Sequence, residues 1–183
     1  SLAALNPPID ADYTVPVSSF RVAEQTIQKL CGSVDAAYLI APESNQILQS
    51  LVASIEQAGV PSLNCRTSAI ANVSDKAAVL QRAEEKGLLT PATVIVSAFD
   101  DAAKIKQSIC GSLGFPLIVK PVDGVGCAGL SVVNNEQQVA DAVAKAISES
   151  SSKYFIAQEL VHGVAVSVSL LSTGSDALPV SLN

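Results

Sequence analysis

The chain has 183 residues, of which 49% are hydrophobic and 15% charged, a balance that collapses rather than staying solvated and so excludes an intrinsically disordered polymer. Eleven basic residues against seventeen acidic ones give a formal charge of −6, which argues against a long-range field for nucleic-acid phosphates; any phosphate ligand must be held by local groups. Apolar runs such as 36–41 and 116–119 fall far short of the roughly 20 residues a bilayer needs, and no basic segment with an apolar core opens the chain, so a soluble, cytoplasmic protein with no membrane partner is expected.

Residues 13–17 read as a strand and 20–30 as a helix. The segment DAAYLIAP, residues 35–42, is a short apolar run closed by proline and suits a buried parallel strand. Ser44 then caps a helix in which Ile47, Leu48, Leu51, Val52 and Ile55 recur at helical spacing, ended by Gly59 and Pro61. With a second short strand at 60–63, the first 65 residues resemble part of a doubly wound α/β layer.

Ser74 precedes DKAAVLQRAEEKG, a helix with Val79, Leu80 and Ala83 on one stripe, Lys76 in its first turn and Gly87 at its end. A β-branched strand at 92–96 leads to a helix capped by Ser97 and Asp100, with Ala102, Ile105 and Ile109 turned inward. Residues 115–121 form a strand ending in Lys120, followed by the loop 123–129 and a strand at 130–133. A helix over 135–148 carries Val139, Val143 and Ile147 on one face, and strands follow at 154–160, 164–171 and 178–182. There is no internal repeat. Cys31, Cys65, Cys110 and Cys127 form no CxxC pair and have a single His162 beside them in the sequence, so they read as thiols of a reducing compartment rather than a zinc site.

Gly124, Gly126 and Gly129 fit GxGxxG, but the dinucleotide-binding fingerprint requires the glycines to open a helix, and here LSVV, a strand, comes next. The loop remains either a phosphate cradle between two strands or a plain hairpin turn. Lys120 favours the first reading, because an ammonium at the end of an apolar strand calls for an accompanying anion or carboxylate.

The run FPLIVKPVDGVGCAGLSVV, then an amphipathic helix, then FIAQELVHG leading into VSVSLLSTG, resembles the ATP-grasp superfamily of carboxylate–amine ligases. The likeness covers 35–183 and implies an α/β (α+β) fold. Its parts would be a partial Rossmann-like layer at 1–70, a small ATP-grasp subdomain with the glycine-rich loop at 71–160, and the start of a C-terminal subdomain at 161–183. It implies that ATP lies between two sheets, with Lys120 on the α and β phosphates, Lys76 as a second phosphate contact, and the loop of Gly124, Gly126 and Gly129 closing over the β and γ phosphates. Loop closure of this kind excludes water from a reactive intermediate. Glu159 matches the residue that binds the adenine amino group, with the backbone of Leu160 and Val161 at the ring edge. Gln158 alternates to the opposite face, so at most one of the two faces the base.

The carboxylate that many members carry shortly after the glycine matching Gly163, to bind ribose, is absent, since this chain has Ala165 and Val166. His162 reads as an exposed turn residue. The implied reaction joins a carboxylate to ATP as an acyl phosphate, which an amine then attacks to form an amide. Magnesium ligands, and an arginine for the transferred group, are implied downstream of this chain, so no catalytic residue or metal ligand is assigned within it. The resemblance thus implies ATP and magnesium as cofactors, small carboxylate and amine substrates, no nucleic acid, and leaves a homodimer open. The expectation is a ligase portion that does not turn over ATP by itself; the alternative is a non-catalytic nucleotide-binding or regulatory module of the same fold. LIAPESNQIL, SVSLLSTG and LPVSLN further resemble the group that includes tyramine–glutamate ligase of methanofuran biosynthesis.

Overall fold

The computed structural model describes residue 12 and residues 14–183. The strand expected at 13–17 therefore begins outside the described residues, and 14–17 are not in a strand. Helix α1 spans Phe20–Cys31 and is capped by Ser19, whose hydroxyl accepts the Val22 N–H at 3.3 Å. Helix α2, Ile47–Gln57, buries Leu51, Val52 and Ile55. Ser44 does not cap it. A 3-10 turn, Ser44–Gln46, intervenes, with Asn45 and Gln46 at φ of 53° and 59°. Gly59 leaves the helix at φ 75°, a conformation that glycine adopts without steric penalty.

The two strands expected around α2 contract to one parallel bridge, Ala37 with Ser62. Ala37 donates to the Pro61 carbonyl at 3.0 Å and accepts from the Leu63 N–H at 2.9 Å. Pairing stops there because the Asn64 side chain takes both backbone groups of Leu39, at 2.8 Å each, in place of a neighbouring strand. Helix α3, Thr67–Ser74, was not expected. Its first turn is capped from a distance, with Glu56 accepting the Thr67 N–H at 3.0 Å and its hydroxyl at 2.7 Å. These bonds hold the Glu56 carboxyl below its ordinary pKa.

Helix α4 spans Lys76–Glu85, and its cap is Asp75 rather than Ser74, whose hydroxyl donates back to Ile70. Leu80 and Ala83 are half-buried and Val79 is exposed, so the expected stripe is narrower than its sequence suggests. Strands β1 (Thr93–Ser97), β2 (Leu117–Pro121), β3 (Ser131–Val133) and β4 (Tyr154–Glu159) form one antiparallel sheet in the order β1-β4-β2-β3. Helices α5 (Ala102–Ser112) and α6 (Val139–Ser148) pack on one face of it. Asp101 caps α5, not Asp100, and Ala102 is exposed while Ile105 and Ile109 point inward as expected.

The core between sheet and helices joins Val96, Ile109, Leu117, Val119, Val133, Val139, Ala146, Phe155 and Ala157. Each large apolar side chain buried there contributes about 1.5–3 kcal/mol. Ile147 lies at the margin of α6, 37% exposed. Beyond Gly163, β5 (Val168–Ser172) and β6 (Ala177–Leu182) make a separate two-stranded antiparallel sheet; β5 starts four residues later than the expected 164–171 strand. No helix among the described residues is long and apolar enough to cross a membrane.

Candidate functional site

Alternation along β2 sends Leu117, Val119 and Pro121 into the core and Ile118 and Lys120 to the opposite face. β4 lies between β1 and β2, with Gln158 opposite Thr93 on one side and Ile118 on the other. Thr93, Gln158 and Lys120 therefore share the face turned away from α5 and α6, on three adjacent strands. Their polar groups are joined in series. The Lys120 ammonium donates to Gln158 Oε1 at 2.8 Å, and Gln158 Nε2 donates to the Thr93 hydroxyl at 2.8 Å.

Gln158 is buried, at 6% exposure, and Lys120 is half-buried. Burial, and secondarily the nearby charge of Lys76, push the Lys120 ammonium below its ordinary pKa. Among the described residues no carboxylate lies within 4.0 Å of it. A desolvated cation whose partner is a neutral amide and whose charged neighbour is another cation is electrostatically suited to an anion.

Lys76 comes to this face from the first turn of α4. Its backbone N–H donates to the Val122 carbonyl at 3.0 Å, and its ammonium donates to the carbonyls of Gly124 and, at 3.5 Å, Val122. The loop it touches turns through Gly126, Cys127 and Gly129 at φ of 57°, 62° and 70°, and leads into β3 rather than a helix. Ala128 N–H to Val125 and Leu130 N–H to Cys127, at 3.0 and 3.1 Å, close two tight turns. The loop's base is pinned, because a β-carbon on Gly129 would lie 2.7 Å from Pro121 Cγ and Asp123 accepts the Ser150 hydroxyl. Its apex at Gly126 is open.

Lys76, Lys120, Gly124 and Gln158 are thus brought together. Glu159 is not on that face. It is exposed, its backbone N–H donates to the Ala92 carbonyl at 2.8 Å, and its carboxylate accepts the Ala92 N–H at 3.3 Å. Leu160 and Val161 follow the end of β4, and His162 is exposed. Thr93 was missed by sequence reasoning, since only the antiparallel register puts it next to Gln158. Among the described residues no group of three or more His, Cys, Asp or Glu side chains is placed to hold a metal ion.

Comparison with known proteins gives this arrangement a family. Residues 73–183 match the ATP-grasp domain, and residues 2–70 match the pre ATP-grasp 3 domain. A D-alanine–D-alanine ligase of Chlorobium luteolum is 31% identical over 130 residues, covering 69% of this chain and 35% of that protein. The carbamoyl phosphate synthase large chain of Pyrococcus furiosus is 23% identical over 144 residues, covering 79% of this chain and 13% of its own length. The chain thus spans about a third or less of these relatives.

Two solved structures share the fold. The VanG D-Ala:D-Ser ligase of Enterococcus faecalis has a TM-score of 0.71 at 24% identity, covering 81% of this chain and 42% of that one. A D-alanine–D-alanine ligase of Bacillus anthracis, solved with ATP, has a TM-score of 0.66 at 16% identity, covering 79% and 47%. With more than half of its residues inside the ATP-grasp match, the chain belongs to the ATP-grasp family.

Proposed function

We propose that this chain is the nucleotide-holding portion of an ATP-dependent ligase that joins a carboxylate to an amine through an acyl phosphate. The observation that carries this reading is the convergence of Lys120, Lys76 and the glycine loop on one face, with no carboxylate among the described residues neutralising Lys120. Two cations beside a backbone loop with positive φ suit a polyphosphate, which such a site binds by positioning and charge neutralisation rather than through a protein nucleophile. Lys120 and Lys76 would contact phosphates, and the apex at Gly126 is the part of the loop free to close over them.

Of the two residues considered for the base, Gln158 is proposed to face it, since it shares the lysine face, while the backbone of Leu160 and Val161 presents the strand end to the ring edge. Glu159 instead supports β1 through Ala92, with its backbone N–H and its carboxylate. The division at about residues 70 and 160 into pre-ATP-grasp layer, small subdomain and start of a further subdomain is part of the same proposal. Magnesium would be bound together with the phosphates, where it would neutralise charge alongside Lys120 and Lys76.

Isothermal titration with a non-hydrolysable ATP analogue, with and without magnesium, tests the reading. Binding is expected, weakened about tenfold or more by Lys120→Ala, in line with the roughly 1.5–3 kcal/mol of a charged hydrogen bond. Tighter binding of NAD, or indifference to Lys120→Ala, would overturn it. The finer proposal, a substrate class like that of tyramine–glutamate ligase, rests on the segments LIAPESNQIL, SVSLLSTG and LPVSLN. It is tested by screening amines and amino acids for ATP-dependent amide formation with the full-length protein.

A further inference from the structure

We infer that Thr93 is a positioning residue, which orients the Lys120 ammonium through the carboxamide of Gln158. A hydroxyl has one proton, and that of Thr93 is given to the Pro91 carbonyl at 2.8 Å. Toward Gln158 the Thr93 oxygen is therefore left to accept. Among the described residues the donor that meets it is the Gln158 amino group, at 2.8 Å. That choice fixes the other end of the amide, so Oε1 is presented to Lys120.

The reversed amide would place two N–H donors against an ammonium and leave the Thr93 oxygen facing an oxygen. With Gln158 only 6% exposed, water is poorly placed to relieve either fault. One hydroxyl on β1 thereby decides the direction of a donor chain that crosses β4 and ends on β2. It holds Lys120 by one N–H and leaves its other two donors for an incoming anion.

The consequence for ATP rests on the proposed function, whereas the orienting role does not. The charged side chain that bears on Lys120 from outside the sheet is Lys76 of α4, so all variants are compared with Lys76 intact. Full chain with 13C-labelled lysine is titrated by NMR without nucleotide, following the Lys120 ε-carbon, which Lys120→Arg identifies. Thr93→Val, which keeps shape but loses the acceptor, is expected to lower the Lys120 titration midpoint, and Thr93→Ser to leave it unchanged. Thr93→Ala replaces valine where the added methyl perturbs folding.

Gln158→Glu presents oxygen in either orientation, so in that background Thr93→Val is expected to have a much smaller effect on the Lys120 midpoint, an interaction that a merely structural role of Thr93 would not produce. An unchanged midpoint in folded Thr93→Val and Thr93→Ala, or an equal shift in the Gln158→Glu background, overturns the inference. In parallel, Thr93→Val is expected to weaken the ATP analogue about tenfold and Thr93→Ser less than about twofold. If the midpoints move as stated while Lys120→Ala leaves analogue binding unchanged, the orienting role stands and the nucleotide reading fails.

Discussion

Lys76 donates its ammonium to the carbonyl oxygen of Gly124, tying the first turn of α4 to the start of the glycine loop 48 positions away. The Lys76 backbone makes a second tie, to Val122. Removing the ammonium leaves the backbone tie in place, so α4 should stay docked while the loop loosens. Lys76→Met is expected to speed hydrogen exchange at residues 124–129 about tenfold, as the loss of one charge-assisted bond of about 1.5 kcal/mol predicts, without moving exchange in α4. Equal protection of the loop in both proteins would contradict this.

Within the loop, two glycines with similar backbone angles should respond differently to alanine. Gly126 has φ of 57° and open space where a β-carbon would go, so Gly126→Ala carries only the left-handed penalty of about 1–2 kcal/mol. Gly129 has φ of 70° and Pro121 Cγ at 2.7 Å and Cδ at 2.9 Å from the added carbon. Pro121 is itself buried in the core and its ring cannot swing away. Gly129→Ala should therefore lose at least about 1 kcal/mol more than Gly126→Ala in urea denaturation, from the overpacking it forces.

These contrasts show which parts of the molecule were legible in the sequence. The strand ending in Lys120, the loop, the β3 strand and the helix carrying Val139 and Val143 were readable because local periodicity and glycine placement determine them. Helix α3 was not, because its cap is Glu56, eleven residues upstream of Thr67 and on another helix. The strands around α2 failed as strands because a side chain, Asn64, supplies the hydrogen bonds that a neighbouring strand would have supplied to Leu39. At the site, the two lysines and the loop carried their chemistry in residue type. Which of Gln158 and Glu159 shares the face of Lys120 depended on the register of β4 between β1 and β2.

A neighbouring pair of aspartates separates local pattern from actual capping. Asp101 accepts the Lys104 N–H at 2.9 Å as the cap of α5, whereas Asp100 forms an exposed ion pair with the Lys104 side chain. Asp101→Ala is expected to destabilise the fold by about 1 kcal/mol. Asp100→Ala should change stability by less than about 0.5 kcal/mol, as exposed i,i+4 pairs do. Chemical denaturation of both variants distinguishes them, and equal losses would assign the cap wrongly.

Lys120 is held below its ordinary value of 10.5, first by burial and then by Lys76, so between its folded pKa and 10.5 the unfolded chain binds more protons than the folded one. Unfolding free energy must then rise with pH across that alkaline window. The unfavourable contribution of the buried ammonium is present in full below the folded pKa and is relieved as pH climbs through it. Lys120→Met cannot titrate, and the unpaired Gln158 oxygen it leaves adds a penalty that does not vary with pH. Urea denaturation at a series of alkaline pH values should therefore give a stability curve with a more positive slope for the native chain than for Lys120→Met, whatever their absolute difference. Parallel curves would mean that Lys120 titrates in the fold as it does in water, and would remove the electrostatic reason for expecting an anion beside it.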